Sequence, residues 1–276
     1  MENFDYLPKL HNCQLIIARE IKRLCDKHNI KYFIIAGTLL GAIRHGGFIP
    51  WDDDMDVGML REDYEKFIKV AKTELGGDFF LQTSETDKNY GLPFAKILLN
   101  DTVLVEASAG SDAKKGIFVD VFPFDVAPEN EADRENHNKK TYIYKRLLLA
   151  KLNYNVCAKN DYVKRAVYFI LKIMSGFYSH DKLVQKLESE ITRYNNSKTE
   201  DIVNIGGAYG YKKETIKADW VRDTVEIPFE DMTLSAPVDY IKYLETFYGD
   251  YMTPPPEDKR YNRHSVTELD FGKYAD

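Results

Sequence analysis

The chain has 276 residues, 44% of them hydrophobic and 30% charged, and a formal net charge of -6. This length and composition are those of one globular domain and exclude a disordered or fibrous chain. The acidic balance and the lack of a recognisable nucleic-acid module argue against a polymerase or ligase, so we expect no nucleic-acid partner.

Cysteine usage and hydropathy bear on the compartment. The three cysteines, Cys13, Cys25 and Cys157, have no paired spacing, which argues against a disulfide framework or a structural zinc site. The N-terminal residues show no secretory signal, and the chain has no stretch of about 18 apolar residues. We therefore expect a cytoplasmic protein without a transmembrane helix.

Helical and strand patterns alternate along the first half of the chain. Apolar residues recur with helical spacing over 7–28, and a short buried strand is predicted over 32–36. A compact turn or short helix is predicted at 38–45 and a loop at 46–53. The further elements are a strand at 55–59, a helix at 63–75, and strands at 79–82, 94–99, 102–107 and 117–122. This order predicts an α/β (α+β) fold in which helices flank a mixed sheet.

The second half of the chain differs in composition. We divide a single domain, residues 1–276, into a core at 1–128, a basic helical insertion at 129–200 and a C-terminal region at 201–276. No internal repeat and no low-complexity linker marks a boundary between independent domains.

The insertion carries a marked charge asymmetry. Residues 136–182 contain ten Lys or Arg and two Asp, so this segment holds +8 and the rest of the chain −14. One hypothesis is a basic amphipathic surface that lies peripherally on an anionic leaflet, at the inner membrane face. The alternative is a helical subdomain whose apolar residues form a core while its lysines face water.

Residues 51–57, which we call the acidic loop, place four carboxylates within five positions: Asp52, Asp53, Asp54 and Asp56. Such a concentration of like charge is unfavourable unless a cation compensates it. Residues two apart on a strand share a face, so Asp54 and Asp56 are predicted to converge on Mg²⁺ or Mn²⁺. Asp52 and Asp53 would then cap and shape the loop. The alternative is a solvated acidic turn.

A third carboxylate lies in a later apolar run. Asp120 sits within 118–122, where a buried carboxylate needs a partner. We expect it to complete a metal triad with Asp54 and Asp56; the alternative is a strand residue that faces solvent. Asp125 is closer to a predicted turn and is the weaker candidate.

A short turn precedes the acidic loop. Gly37 and Thr38 follow a predicted strand. A glycine lets the backbone approach a phosphate closely, and the threonine hydroxyl and neighbouring amides can donate to it. Gly37 and Thr38 alone are weak evidence for a phosphate-binding turn, and their position before Asp54 and Asp56 strengthens that evidence.

The run from 37 to 57, GTLLGAIRHGGFIPWDDDMDV, resembles the signature of the LicD family. That family contains bacterial phosphorylcholine transferases, with the fukutin-type proteins as distant relatives. Residues 93–97 resemble its lysine-bearing strand, residues 118–123 its second acidic strand, and residues 248–256 its C-terminal signature. The resemblance spans nearly the whole chain and is weakest over 130–200.

The LicD family is similar to DNA polymerase beta-type nucleotidyltransferases. Their pattern is a Gly-Ser/Thr turn, a paired Asp motif and a third Asp on a later strand, and Gly37-Thr38, Asp54 with Asp56, and Asp120 match it. Thr38 stands where serine is usual and keeps the hydroxyl. The resemblance therefore implies a nucleotidyltransferase-like mixed sheet.

The resemblance also implies a reaction. Phosphocholine would pass from CDP-choline to a sugar hydroxyl of a cell-surface glycan, such as a teichoic acid or a lipid-linked glycan. Asp54, Asp56 and Asp120 would hold one or two Mg²⁺ ions, and Asp120 is also a candidate general base. A CDP-linked ribitol or glycerol phosphate is an alternative donor, and a catalytically silent glycan-binding scaffold is an alternative class of protein.

Further residues are candidates for donor binding. Arg44 and Lys96 are suited to phosphate contacts, with a surface strand lysine as the alternative for Lys96. Trp51 offers an aromatic face to the choline ammonium, with core packing as the alternative. Arg260 and His264, in a polar C-terminal stretch, are weaker candidates for reaching the same cleft, with a structural or exposed histidine as the alternative for His264.

Overall fold

The computed structural model describes residues 5–106, 112–154, 162–260 and 266–275. Within them Cys13 and Cys25 are buried free thiols. Cys157 and His264, both named from the sequence, lie outside the described residues.

Eight helices occur in the described part of the chain. They are α1 Leu7–His28, α2 Ala36–His45, α3 Arg61–Glu74, α4 Glu131–Lys151, α5 Tyr162–Ser175, α6 His180–Ile191, α7 Asp219–Arg222 and α8 Tyr240–Tyr248. The predicted helix at 7–28 is confirmed in full. Its end is marked by Asn29, whose left-handed φ of 50° turns the chain so that Ile30 N–H donates to Cys25 O at 2.9 Å.

Eleven strands occur in the same ranges. They are β1 Phe33–Ile34, β2 Asp56–Leu60, β3 Phe79–Gln82, β4 Ala95–Leu99, β5 Val103–Glu106, β6 Phe118–Val126, β7 Asp201–Val203, β8 Thr215–Lys217, β9 Thr224–Phe229, β10 Met232–Pro237 and β11 Val266–Asp270. The strand predicted at 79–82 is confirmed, and those predicted around 94–107 and 117–122 are found with shifted ends.

The central sheet confirms the predicted mixed α/β fold. Its strand order is β1-β2-β6-β4-β3, and β7 pairs with the end of β6 and with β8. Strands β2 and β6 are parallel, while the other pairs of this sheet are antiparallel. Strand β6 lies inside the sheet, and α1 and α3 pack against it; nearly every side chain of its run FVDVFPFDV is buried.

The largest differences from the predicted strand ends occur at β1 and β6. The first strand is only two residues long, because Ala36 takes a left-handed φ of 48° and starts α2 there. Strand β6 continues past residue 122 to Val126, because β7 from the C-terminal region pairs with Asp125 and Val126.

Asp125, the weaker acidic candidate, has a structural role. Arg61, the first residue of α3, donates to both of its carboxylate oxygens, at 2.7 and 2.6 Å, and to Glu188 on α6 at 2.8 Å. The side chains of Arg61 and Asp125 are only 12% and 1% exposed. This buried bidentate pair ties the sheet to the helical insertion.

The insertion has a small core of its own. Leucine and isoleucine side chains of α4 and α6 pack together in it: Leu147, Leu148, Leu183, Leu187 and Ile191. Helix α5 packs beside α4 and contributes only Leu171 to the edge of this core. None of the helices in the described ranges combines the length and apolar content that crossing a bilayer requires.

Candidate active site

Four polar side chains form a row across the central sheet. Asp56 on β2 is in register with Asp120 on the parallel strand β6. Asp120 is in register with Lys96 on β4, and Lys96 with Gln82 on β3. Residues in register project from the same face of a sheet, so these four side chains lie side by side. We call them the transverse row, and each of its residues is buried, with at most 8% of its surface exposed.

Lys96 is an interior lysine, so the alternative of a surface strand residue is wrong. Its Nζ lies 3.2 Å from Asp120 Oδ1, 3.7 Å from Glu106 Oε2 and 3.1 Å from the centroid of the Phe118 ring. Two carboxylates and an aromatic face therefore compensate the buried ammonium. A phosphate contact of Lys96 stays a prediction.

Asp120 has an unusual electrostatic environment. Burial raises its pKa to about 7; the Lys96 ammonium opposes this rise, while the charges of Glu106 and Asp54 add to it. The contact with Lys96 is an ion pair without hydrogen-bond geometry, so Asp120 Oδ1 is buried without a hydrogen-bond partner. Such an oxygen is costly on its own, and a bound cation would satisfy it.

The acidic loop is held by α1. His11 Nε2 lies 2.8 Å from Asp52 O, and Gln14 Nε2 donates to Asp53 O at 2.8 Å. The His11 ring stacks on Phe48 with 3.9 Å between the ring centroids. These contacts position the loop backbone through its carbonyl oxygens, independently of its carboxylates.

The carboxylates of the loop lie close together. One oxygen of each of Asp52, Asp53 and Asp54 lies within 4.8 Å of the other two, and this is the one group of three possible ligands with that spacing in the described ranges. The predicted triad is arranged differently, because β2 begins at Asp56 and Asp54 therefore precedes the strand. The charge of Asp54 nevertheless acts on Asp120, since it contributes to the raised pKa of that residue.

Gly37 and Thr38 lie in the first turn of α2. A Cβ at Gly37 would be 2.4 Å from Asp52 Oδ2, so glycine leaves room for that carboxylate at the helix N-terminus. The helix dipole favours negative charge there. Thr38 Oγ1 accepts a hydrogen bond from Asp56 N–H at 2.8 Å. The pair thus shapes the acidic site, and its contact with a phosphate stays a prediction.

Cationic side chains gather around Trp51. Arg260 Cζ lies 5.1 Å from the centroid of the Trp51 ring, and the His45 ring meets that ring edge-on at 5.9 Å. Burial lowers the pKa of Arg44, and the charge of Arg260 lowers it further. The pKa of His45 is lowered by burial and by both arginines. Like charges held together favour the binding of an anion.

Three tyrosines beside this site were not selected from the sequence. Tyr209 Oη donates to Tyr248 Oη at 3.1 Å, and Ala36 N–H donates to Tyr243 Oη at 3.4 Å. Burial raises the pKa of Tyr248, and the charge of Asp52 is among the further causes. For Tyr248 the sequence did contain a signal, because this residue begins the C-terminal stretch that resembles the family signature.

Comparison with known proteins gives consistent matches. The family model described as LicD/FKTN/FKRP, nucleotidyltransferase domain, matches residues 29–153, which include the transverse row and the acidic loop. The lipopolysaccharide cholinephosphotransferase LicD of Haemophilus influenzae is 31% identical over 250 residues, which are 87% of this chain and 89% of that protein. The ribitol 5-phosphate transferase FKRP of Homo sapiens is 31% identical over 107 residues, which are 39% of this chain and 19% of that protein.

Proposed function

The chain belongs to the LicD family and is a phosphotransferase, and we propose that it transfers phosphocholine from CDP-choline to a sugar hydroxyl of a glycan. The observation that carries this proposal is the in-register pair Asp56 and Asp120, bordered by Lys96 and by the acidic loop. Both carboxylates are buried, and Asp120 Oδ1 keeps an unused acceptor position that a divalent cation would fill. The arrangement therefore argues against a catalytically silent scaffold.

The available donor atoms fit Mg²⁺ or Mn²⁺. The loop offers carboxylate oxygens, which hard divalent cations prefer, and Asp120 adds a buried oxygen without a hydrogen-bond partner. We assign Asp54, Asp56 and Asp120 as the residues that hold the ion, with Asp52 and Asp53 as alternative ligands because they lie next to Asp54. A bound ion would neutralise the donor diphosphate and stabilise the departing CMP.

The cationic side chains would have separate roles. Lys96 keeps the Asp120 carboxylate in place through the 3.2 Å ion pair, so we assign it a positioning role. Arg44 and Arg260 would bind the donor diphosphate, since guanidinium groups match phosphate oxygens and an anion relieves their mutual repulsion. Thr38 holds the start of β2 and thereby the position of Asp56.

The proposed reaction exchanges one phosphorus–oxygen bond for another. The acceptor hydroxyl oxygen attacks the phosphorus that carries choline, and the bond from this phosphorus to the bridging oxygen breaks. CMP leaves with the electron pair of that bond. In this scheme the hydroxyl proton passes to the carboxylate of Asp120, which lies in register with Asp56 on the neighbouring strand.

We propose choline as the head group because the match to a cholinephosphotransferase covers more of the chain than the match to a ribitol 5-phosphate transferase. The cholinephosphotransferase of Haemophilus influenzae matches 87% of the chain, whereas the ribitol 5-phosphate transferase matches 39%. Trp51 directly precedes the carboxylates of the acidic loop, and an aromatic ring at that position would stabilise a quaternary ammonium. Ribitol phosphate is the second candidate, and the acceptor we propose is a cell-surface glycan such as a teichoic acid or its lipid-linked precursor.

The test is CMP release from CDP-choline, CDP-ribitol and CDP-glycerol, each with and without a glycan acceptor. Release should require Mg²⁺ or Mn²⁺, stop with EDTA, and be fastest with CDP-choline. Asp56→Asn should lose nearly all turnover, whereas Asp26→Asn, at an exposed aspartate of α1, should retain it. Full turnover of the Asp56→Asn variant, or turnover unaffected by EDTA, would contradict the assignment.

The role of Trp51 has its own test. Trp51→Ala should raise the KM for CDP-choline more than the KM for CDP-glycerol, since only choline carries a cation for the ring, a contact worth about 0.5–2 kcal/mol. Equal changes in both KM values would assign Trp51 to packing and to its contact with Arg260.

A further inference from the structure

Helix α5 presents its apolar side to solvent. At the roughly 100° per residue of an α-helix, six side chains fall within one arc of about 160°. They are Val163, Val167, Phe169, Ile170, Ile173 and Met174, and we call them the apolar arc. Their exposed fractions lie between 45% and 74%.

The opposite side of α5 faces the protein. Leu171 packs at the edge of the α4–α6 core, and Ser175 is 1% exposed. Lys172 Nζ donates to Lys151 O at 3.2 Å and also contacts Asn153 Oδ1. A helix on the surface of a globular protein usually turns its apolar face inward. The alternative of a helical subdomain with an apolar core therefore holds for α4 and α6, whereas the apolar arc of α5 lies outside that core.

The edges of the apolar arc are basic. Lys164 and Arg165 are exposed residues that flank the arc, one at each side. The aromatic side chains of Tyr162, at the first position of α5, and Phe177, just beyond its end, are 80% and 83% exposed. An apolar face bordered by Lys and Arg is the arrangement of helices that lie in the interfacial plane of a membrane.

Charge decides between a lipid surface and a second copy of the chain. Residues 136–182 hold +8, whereas the rest of the chain holds −14. A symmetric dimer through the apolar arc would bring two copies of this positive segment together. An anionic leaflet carries the opposite charge and would attract this segment while repelling the remainder.

We infer that α5 lies on the surface of an anionic bilayer, with the apolar arc inserted at the headgroup boundary and Lys164 and Arg165 at the phosphate level. The helix has 14 residues and would lie along the surface. The contact is independent of the transfer reaction, because no residue of the acidic loop or of the transverse row belongs to it.

The test is flotation of the full chain with vesicles. One set contains equal parts of phosphatidylglycerol and phosphatidylcholine, and the other contains phosphatidylcholine alone. We expect binding to the anionic vesicles that weakens with salt and is at least about tenfold weaker on the neutral ones. Lys164→Gln and Arg165→Gln should each weaken anionic binding by a factor of about five.

A pair of double variants separates the apolar arc from general charge effects. Phe169→Glu with Ile173→Glu should reduce vesicle binding at least about tenfold. Val238→Glu with Ile241→Glu makes the same charge change at side chains that are 42% and 49% exposed outside the segment, and it should leave binding unchanged. All four positions are exposed, so circular dichroism and the thermal midpoint should confirm that both variants fold.

Three results would overturn the inference. The first is no binding of the unmodified chain to either vesicle. The second is an equal loss of binding in both double variants. The third is a lipid-free dimer in sedimentation velocity that Phe169→Glu with Ile173→Glu dissociates, which would identify a second copy as the partner of the apolar arc.

Discussion

Substituting Asn for Asp120 removes one buried carboxylate and keeps the size of the side chain on β6. In the metal-free protein this carboxylate is destabilised, because burial and the charges of Glu106 and Asp54 outweigh the attraction of Lys96. We therefore expect Asp120→Asn to increase stability at neutral and higher pH, while it removes activity. A substitution that raises stability while it removes activity is typical of a side chain that serves a functional site.

The size and sign of the expected stability change follow from the pKa of Asp120. Folding raises the pKa of Asp120 from 3.8 to about 7. Between these values the folded protein keeps a proton that the unfolded chain has lost, so the free energy of unfolding falls as pH rises through this window. Each pH unit contributes about 1.4 kcal/mol, which gives at most about 4 kcal/mol over the whole window.

The assay is urea unfolding in EDTA from about pH 4 to about pH 8. The difference in unfolding free energy between Asp120→Asn and the unmodified chain should be near zero at the low end and grow with pH. Other titrating groups cancel in this difference. A difference that does not change with pH would refute the assigned environment of Asp120.

Adding Mg²⁺ provides the second half of the experiment. The ion should stabilise the unmodified chain at about pH 8 and have little effect on the Asp120→Asn variant, because ligand binding stabilises only the state that binds it. Equal stabilisation of both proteins would remove Asp120 from the set of cation ligands.

Other substitutions test the parts that position the site. Thr38→Val should cost about 1–3 kcal/mol of stability and reduce turnover, because it leaves Asp56 N–H without its acceptor; Thr38→Ser should keep most of the turnover, and equal activities would contradict this role. Gly41→Ala should lower the thermal midpoint, because its Cβ would lie 2.4 Å from Gly47 O, whereas Gly77→Ala meets nothing within 4 Å and should be tolerated. Asp125→Ala should cost about 3–5 kcal/mol by leaving the buried Arg61 without its bidentate partner. The folded fraction of that variant should keep its kcat, and a large fall in kcat would give Asp125 a role in the reaction.

Several features followed from the sequence because they depend on residues close together in the chain. The amphipathic pattern of α1 and the apolar run of β3 are local, and both elements were found where they were predicted. The mixed sheet followed from the order of the elements. The clustered carboxylates of the acidic loop likewise pointed to Asp54 and Asp56, and the lone Asp within an apolar run pointed to Asp120, without knowledge of the fold.

Only the tertiary structure decided how these residues meet. The register that aligns Asp56, Asp120 and Lys96 depends on the pairing of three strands that are far apart in the chain. The burial of Lys96 depends on that same pairing. The side of α5 that faces water depends on its packing against α4, since an amphipathic pattern indicates two faces without indicating which one is covered.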